Sequence, residues 1–348
     1  MTRIATWNIE WFDALFDKQD RPQRDGDWSR RHNVTRAQQL EGIAAVIRAV
    51  NPDLLMIIEA PNSGDTRSTV RALENFAKQF RLRQSKAVMG FKNDTHQEIA
   101  ALYDPKILSA EHAPIGEPSN GKDGIKAPRF DSVFQLDVDV DGQPDRHVFS
   151  KPPLELKIHL HKPDMHLRLI GVHAKSKAPH GAKSDKEATR MSIANRRKQL
   201  AQCVWLRERV EGHLDRKENL IILGDFNDGP GLDGYEELFG RSSIEVVLGP
   251  KTAPERQLVE PHAEIRLDPR HGWALSSTRF YISSIKRYVN TLLDYVMLSQ
   301  NLAKAAHAKW NIWHPFDNPK CYEDLELREA LLAASDHFPV SVDLFEEQ

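Results

Sequence analysis

Short apolar runs alternate with amphipathic segments along most of the chain. Residues 54–58 and 220–223 are continuously apolar, as expected for strands buried on both faces. Arg36–Val50 instead repeats apolar residues at helical spacing, and Asn51-Pro52 marks its end. Further strands are predicted at 4–9, 99–103, 132–140, 154–160, 166–172, 294–298 and 339–344, and further helices at 66–80 and 188–213. This alternation predicts a layered α/β domain in which helices cover sheets.

Three stretches do not follow the strand and helix pattern. Residues 13–33 are polar and predict a surface loop, whereas residues 249–284 fit no single element. The motif DVDVDG at 137–142 resembles the start of a calcium loop, but Val148 stands where such a loop needs Glu. The alternation of Val with Asp and the Asp-Gly step favour a β-hairpin there.

Composition narrows the class of protein without identifying its function. The 348 residues, 40% of them hydrophobic, suffice for one large core, and we predict a single domain over residues 1–348. A net charge of −2 gives no global signal for nucleic acid or anionic membrane. Cys203 and Cys321 lie far apart, which suits a reducing compartment. No secretion signal or apolar run of about 20 residues is present, so a cytoplasmic protein without membrane contact is expected.

Polar side chains that can bind a metal or move a proton stand at the ends of six apolar runs. They are Asn8 and Glu10, Glu59, His173, Asp225 and Asn227, Asp294, and Asp336 and His337. A buried charge costs several kcal/mol unless it is paired or ligates a metal. Six such strand ends therefore predict that the strands converge on one site.

Three of these carboxylates form an oxygen-rich set with one amide. Glu10, Glu59 and Asp336, together with Asn8, have no cysteine among them. Hard oxygen ligands suit Mg²⁺, or Mn²⁺, better than Zn²⁺. The sequence therefore predicts a magnesium site.

Histidines and lysines add a second kind of chemistry to the same strand ends. His173 and His337 are available to bind a developing negative charge or to donate protons. Lys175 and Lys177 follow His173 and suit a phosphate. Combined with a metal and a carboxylate base, these residues predict metal-assisted hydrolysis of a phosphoester.

The motifs resemble, in their order, those of the endonuclease/exonuclease/phosphatase superfamily. They are TWNIE, IIEA, GVHAKSK, GDFND, LLDYV and SDHFPV, and they span Thr6 to Val340. This resemblance implies a four-layer α/β sandwich of two packed mixed sheets flanked by helices, the DNase I-like fold. Lys151-Pro152-Pro153 and the Gly229-Pro230 step are most similar to bacterial nuclease-like members.

The resemblance also implies a role for each metal-site residue. Glu59 is expected to be the main Mg²⁺ ligand, with Glu10 and Asp336 around the metal and Asn8 beside it.

The catalytic roles follow from the same resemblance. Asp225 is expected to orient or deprotonate the attacking water, and Asn227 to hold Asp225 or the phosphate. Independently of the resemblance, a carboxylate near an ion and two histidines is expected to stay ionised at neutral pH. His337 is expected to bind the scissile phosphoryl oxygen, with its ring fixed by Asp294. His173 is expected to contact the phosphate or to assist the leaving group.

A basic run follows the His173 motif. Residues 175–198 contain eight basic residues and two acidic ones, a local charge of +6, which suits a polyanion. We expect nucleic acid, DNA rather than RNA, to be bound without sequence preference. The predicted substrate-binding residues are Lys151, Lys175, Lys177 and Arg190. The candidate stacking rings are Trp7, Trp11, Trp28 and Trp273, although most of them are expected to lie in the core or at the rim.

Other interpretations remain open from the sequence. Taken alone, Asp225 and Asn227 fit an ordinary turn after a strand, and residues 175–198 fit a solvated helix face. The preferred function is a Mg²⁺-dependent nuclease that hydrolyses DNA. The alternative is a phosphomonoesterase, or a phospholipid or inositol-phosphate phosphoesterase, on the same fold. A catalytically inactive binding module is the third hypothesis, and the intact set of polar residues argues against it.

Overall fold

The computed structural model describes residues 1–121, 125–138, 142–179, 181–231, 237, 240–267, 275–283 and 285–345. Its strands are β1 Thr2–Asn8, β2 Leu54–Ala60, β3 Lys86–Met89, β4 Glu98–Tyr103, β5 Leu108–His112, β6 Phe134–Leu136, β7 Asp145–His147, β8 Leu154–Leu160, β9 Met165–His173, β10 Leu220–Asp225, β11 Leu258–Val259, β12 Thr278–Ile282, β13 Arg287–Thr291, β14 Asp294–Ser299, β15 Lys309–Ile312 and β16 Val340–Leu344. Its α-helices are α1 Arg36–Val50, α2 Thr69–Gln79, α3 Asp185–Asp215, α4 Ser243–Leu248, α5 Pro261–Leu267, α6 Gln300–Ala305, α7 Pro319–Glu323 and α8 Leu325–Ala334.

Two six-stranded mixed sheets form the centre of the molecule. Their strand orders are β15-β16-β1-β2-β4-β3 and β11-β14-β10-β9-β8-β5. Apolar side chains of both sheets, Met56 and Ile170 among them, share one buried cluster. A Cβ on Gly171 in the second sheet would come within 2.5 Å of the Met56 sulfur in the first, so the two sheets pack tightly.

Helices cover the two sheets from outside. Apolar residues of α1, α2 and α8 pack with alternate residues of β1 and β2 in a second buried cluster. Side chains of α3 and α4, such as Trp205 and Val247, join the cluster of the second sheet. The predicted four-layer α/β sandwich of the DNase I-like fold is thereby confirmed. Among the helices that the structure describes, none combines the length and apolar composition needed to cross a membrane.

The predicted elements agree closely with the observed ones where the apolar pattern is clear. Arg36–Val50 and Leu154–Leu160 match to the residue. The predicted helix 66–80 begins three residues later, because the hydroxyl of Ser68 caps its first turn by accepting from the Arg71 amide. The predicted hairpin at 137–142 corresponds to the antiparallel pair β6–β7, although residues 139–141 lie outside the described ranges.

The prediction of a surface loop at 13–33 was wrong for its first part. Leu15 is fully buried, and the Phe16 ring packs edge-on against another ring of the core. The Asp20 carboxylate is also buried and accepts hydrogen bonds from Arg67 and Arg71. Because both guanidinium groups come from a distant segment, the polar composition of residues 13–33 did not reveal this burial.

Candidate active site

All six polar strand ends meet at one edge of the two packed sheets. β1 is parallel to β2, and β9 is parallel to β10, so their carboxyl ends point the same way. β14 and β16 run antiparallel to these strands and begin at the same edge. An open cleft of about 900 Å³ lies there. It is lined by Asn8, Glu10, Glu59, His173, Asp225, Asn227, Asp336 and His337, among others.

The buried strand 220–223 continues through Gly224 and ends at Asp225. Gly224 has a φ of 138°, and a Cβ there would lie 2.0 Å from the carbonyl oxygen of Val172. Glycine is therefore required for β10 to approach β9 so closely before the chain turns. This approach pairs Asp225 with His173 on one side and with Asp294 on the other.

The Asp225 carboxylate is buried and is held by two amide side chains. Asn8 Nδ2 donates to Oδ2 at 3.0 Å, and Asn227 Nδ2 donates to the same oxygen at 3.1 Å. The backbone N–H of Asn227 donates to Oδ1 at 2.7 Å. Asn227 has a φ of 52°, a left-handed conformation that Asn tolerates well. Asp225 and Asn227 thus do form a turn after the strand, as the simpler interpretation predicted. The same turn fixes the orientation of the buried Asp225 carboxylate.

Burial raises the pKa of Asp225 to about 7, with Asp294 adding to the rise and His337 opposing it. Burial thus outweighs the attraction of His337 among these side chains, and the ionisation of Asp225 beside a bound metal ion stays a prediction.

His337 and Asp294 form a buried pair. His337 Nδ1 donates to Asp294 Oδ2 at 2.8 Å, as predicted. Burial alone lowers the pKa of His337, but Asp294, Asp225 and Asp336 together raise it well above its ordinary value. Potential ligand atoms of Asp225, Asp294 and His337 lie within 4.8 Å of one another. This spacing would suit a metal ion, but a protonated imidazole repels a cation. We therefore interpret the three side chains as a hydrogen-bonded group that binds a proton and not a metal ion.

His173 contrasts with His337. Lys151 Nζ donates to His173 Nε2 at 3.2 Å, and Asp225 Oδ2 lies 3.6 Å from the same nitrogen. Burial, Lys151 and His337 lower the pKa of His173 well below its ordinary value. His173 is therefore a neutral acceptor, and its contact with Asp225 is not an ion pair.

The oxygen-rich set lines the same cleft as Asp225. Burial raises the pKa of Glu59, and burial together with Asp336 raises that of Glu10 to about 7. Oδ1 of Asn8 and Oδ1 of Asp336 are buried, and neither has a hydrogen-bond partner. Glu59 sits at a β-bulge with a φ of 63°, which turns its side chain into the cleft. Crowded carboxylates with unpaired buried oxygens fit a divalent cation.

The four predicted substrate-binding residues differ in their surroundings. Lys151 and Lys175 line the cleft, and burial lowers the pKa of each. Lys177 also lines the cleft but forms an ion pair with Asp228. Arg190 is exposed on the first turns of α3 and does not line the cleft. The structure thus brings three of the four residues together.

Of the candidate stacking rings, one lies at the cleft. Trp7 is buried, and its Nε1 donates to the His337 carbonyl at 2.8 Å, so it is structural. Trp28 is 70% exposed but does not line the cleft. Trp11 lines the cleft, under the guanidinium of Arg30 at 5.2 Å. Trp273 lies outside the described residues.

Three residues of the site were missed by the sequence reasoning. Arg31 pairs with Glu10, Ser277 donates to Asp294, and the ring of Phe280 packs edge-on against His337 at 5.4 Å. Ser277 and Phe280 fall in the stretch that fitted no element, and Arg31 falls in the predicted loop. Only the fold brings them to the site.

Comparison with known proteins places the chain in a family. The model of the endonuclease/exonuclease/phosphatase family matches residues 5–337, and the chain belongs to that family. Its members are metal-dependent enzymes that hydrolyse phosphoesters, and this chain is such a hydrolase. No curated protein matches the sequence.

Solved structures of other proteins share the fold. Truncated TDP2 of Caenorhabditis elegans is 14% identical, with a TM-score of 0.50, and the match covers 99% of this chain and 98% of that one. The mannosyl-6-phosphatase Bt3783 of Bacteroides thetaiotaomicron is 12% identical, with a TM-score of 0.50 and 99% coverage of both chains. At these identities the likeness shows the fold alone.

Proposed function

We propose that this member of the endonuclease/exonuclease/phosphatase family is a Mg²⁺-dependent phosphodiesterase, specifically a nuclease that hydrolyses DNA. The main support for the proposal is that a carboxylate–histidine group and an oxygen-rich group line the same cleft. Asp225 is aimed by two amides beside the His337–Asp294 pair, and the oxygen-rich set faces the same space. This arrangement suits in-line attack of water at phosphorus.

The metal is assigned to the oxygen-rich set. Glu59, Asp336 and Glu10 would hold Mg²⁺, or Mn²⁺, with Asn8 Oδ1 beside them. A divalent ion held there would supply neutralisation of the negative charge of the phosphoester. Arg31 already compensates part of the charge of Glu10, so we assign the stronger ligand roles to Glu59 and Asp336.

Asp225 is the proposed general base. In its ionised form it accepts a proton from the attacking water, and Asn8 and Asn227 keep its Oδ2 in place. Burial raises its pKa, which makes the ionised carboxylate a stronger base.

His337 and Lys151 are the proposed phosphate contacts. His337 is held protonated by Asp294 and presents its Nε2–H to a phosphoryl oxygen, where negative charge grows during the reaction. The Lys151 ammonium, which also donates to neutral His173, adds a positive charge on the same wall. His173 is then placed to assist the leaving group.

The surroundings of the cleft support a polyanionic substrate. Lys175 adds a basic side chain to the cleft, which Lys177, paired with Asp228, also lines, and Phe280 and Ile282 of β12 contribute apolar lining. Farther out, the exposed Arg190 and its basic neighbours at the start of α3 suit backbone phosphates beyond the scissile one.

A substrate panel tests the proposal. We expect purified protein with Mg²⁺ to cleave DNA oligonucleotides and bis(p-nitrophenyl) phosphate at least tenfold faster than p-nitrophenyl phosphate, and EDTA to abolish both activities. RNA oligonucleotides in the same panel test the preference for DNA. Faster turnover of the monoester, with DNA left intact, would overturn the nuclease in favour of a phosphomonoesterase.

Neutralising the basic residues at the start of α3 tests whether they bind a polyanionic substrate. The triple variant Lys183→Gln, Lys186→Gln and Arg190→Gln should weaken oligonucleotide binding. The number of counterions released on binding, measured from the salt dependence of the affinity, should fall by about one to three. It should leave hydrolysis of bis(p-nitrophenyl) phosphate unchanged. The matched control neutralises Lys18, Lys78 and Lys251, which are exposed and do not line the cleft. Equal effects of both triple variants would contradict a specific role for α3.

A further inference from the structure

Three histidines crowd the turn between β8 and β9, at the end of the second sheet remote from the cleft. His159 and His166 are direct cross-strand partners, and their ring centroids lie 4.7 Å apart. The ring of His161 lies 5.7 Å from that of His159. The cleft residue His173 is seven positions along β9 from His166, which corresponds to about 23 Å of strand.

The spacing of these rings is close to what one metal ion requires. Zn²⁺ binds imidazole nitrogens at about 2.0–2.1 Å in tetrahedral geometry, which places the centroids of two bound rings about 5 Å apart. The observed spacings of 4.7 and 5.7 Å bracket that value. The strand register brings the rings of His159 and His166 to the separation of ligands on a single ion, and the turn places His161 at a similar distance from His159.

Two of the three rings are already oriented by their second nitrogen. His161 Nδ1 donates to the carbonyl oxygen of Lys106 at 3.0 Å, which leaves Nε2 unprotonated and directed away from that contact. His159 Nε2 donates to the Asp164 carboxylate at 2.6 Å, which leaves Nδ1 as the free nitrogen. Metal-binding histidines are commonly held in this way, by a carbonyl or a carboxylate on the nitrogen that does not bind the metal.

The site is accessible from solvent. The side chains of His159 and Asp164 are 40% and 87% exposed. The nitrogens of the three histidines do not yet converge, since Asp225, Asp294 and His337 form the only described cluster whose ligand atoms lie within 4.8 Å of one another. Binding one ion would therefore require side-chain torsions of the three histidines to change so that these nitrogens converge.

We propose that His159, His161 and His166 form a Zn²⁺ site, with Asp164 holding the ring of His159 and water in the fourth position. Imidazole ligands select Zn²⁺ over Mg²⁺, whereas the oxygen-rich set in the cleft has the opposite preference. Because His161 also bonds through its backbone N–H to the Ile107 carbonyl, the ion would fasten the β8–β9 turn to the segment before β5. This role does not depend on the proposed nuclease function.

Zinc titration of the tag-free protein tests the site. Isothermal titration with Zn²⁺ should find one equivalent more in the wild-type protein than in the double variant His159→Gln, His161→Gln. Asp164→Ala should retain the equivalent with about 10–100-fold weaker affinity. Both variants should keep full Mg²⁺-dependent hydrolysis, which separates this site from the cleft.

His307→Asn is the matched control, because His307 is exposed, has a φ of 48° that Asn tolerates, and lies outside the turn. With Co²⁺ as a spectroscopic substitute, visible absorption of a tetrahedral nitrogen site should appear in the control and be absent from the double variant. Identical zinc stoichiometry and affinity in the wild-type protein and the folded double variant would overturn the proposal.

Discussion

At the scale of single residues, one hydroxyl connects the backbone to the proposed catalytic pair. Ser277 Oγ donates to Asp294 Oδ2 at 2.8 Å and accepts from the backbone N–H groups of Leu293 and Asp294 at 3.1 and 3.0 Å. The same carboxylate oxygen accepts from His337. Ser277 therefore fixes the carboxylate that orients the imidazole, although it does not itself line the cleft.

We predict that Ser277→Ala lowers kcat about tenfold and leaves KM within about twofold, because a hydrogen bond to a charged group contributes about 1.5–3 kcal/mol. Steady-state kinetics on bis(p-nitrophenyl) phosphate measure both constants. Ser276→Ala is the matched control, since the hydroxyl of Ser276 donates to Asp317 at 3.3 Å instead. An unchanged kcat in Ser277→Ala would show that Asp294 needs no support from this hydroxyl.

At the scale of elements, the sequence predicts strand cores well and their functional ends less well. The apolar run 220–223 predicted β10, but the strand extends to Asp225 because Gly224 allows a close approach to β9. Similarly, the run 54–58 predicted β2, but no periodicity shows the bulge that turns Glu59 into the cleft. The pattern of apolar residues shows which segments are buried. It does not show the backbone dihedral angles at the strand ends, because these depend on contacts with neighbouring strands.

Gly224→Ala is predicted to destabilise the protein by about 3 kcal/mol or more, because the new Cβ would clash with the Val172 carbonyl at 2.0 Å. Urea unfolding measures the change. Gly212→Ala within α3 is the contrasting control. It meets only Arg216 at 3.6 Å and should stabilise the protein by about 0.5–1 kcal/mol. Equal stability of the two variants would refute the proposed contact between β10 and β9.

The end of α3 carries a predicted pH dependence. His213 is buried, and its Nδ1 bonds to Glu218 at 2.6 Å. Burial lowers its pKa to about 4, below the value of about 6.5 for an unfolded chain. The unfolded state therefore binds a proton first on acidification, and stability present above pH 6.5 is lost as the pH falls towards 4.

The loss attributed to His213 is at most about 3 kcal/mol, from the difference between the two pKa values. Urea unfolding of the wild-type protein and His213→Gln at pH 7.5, 6 and 5 measures the part of this loss that falls above pH 5, at most about 2 kcal/mol. The stability of the variant should fall less over this range. Parallel curves for the two proteins would mean that His213 titrates alike in the folded and unfolded states.

At the scale of the whole molecule, the polar side chains at the ends of six apolar runs predicted that the strand ends meet at one site, and the parallel pairs β1–β2 and β9–β10 contribute to bringing them together. The contacts that complete the site were beyond the sequence. The hydrogen bond from Asn8 to Asp225 joins residues 217 positions apart. The basic run 175–198 also divides in the structure, since Lys177 pairs with Asp228 at the cleft while Arg190 lies outside it.

Nicking of supercoiled plasmid most directly tests whether these strand ends form a nuclease site. Purified protein is assayed with Mg²⁺, with EDTA, and as Asp225→Asn, a variant of nearly the same shape whose fold is checked by circular dichroism. We expect nicking that requires Mg²⁺ and falls by at least about 10³-fold in Asp225→Asn. Metal-independent nicking, or full activity in the folded variant, would contradict the assignment of Asp225 and its neighbours as the catalytic centre.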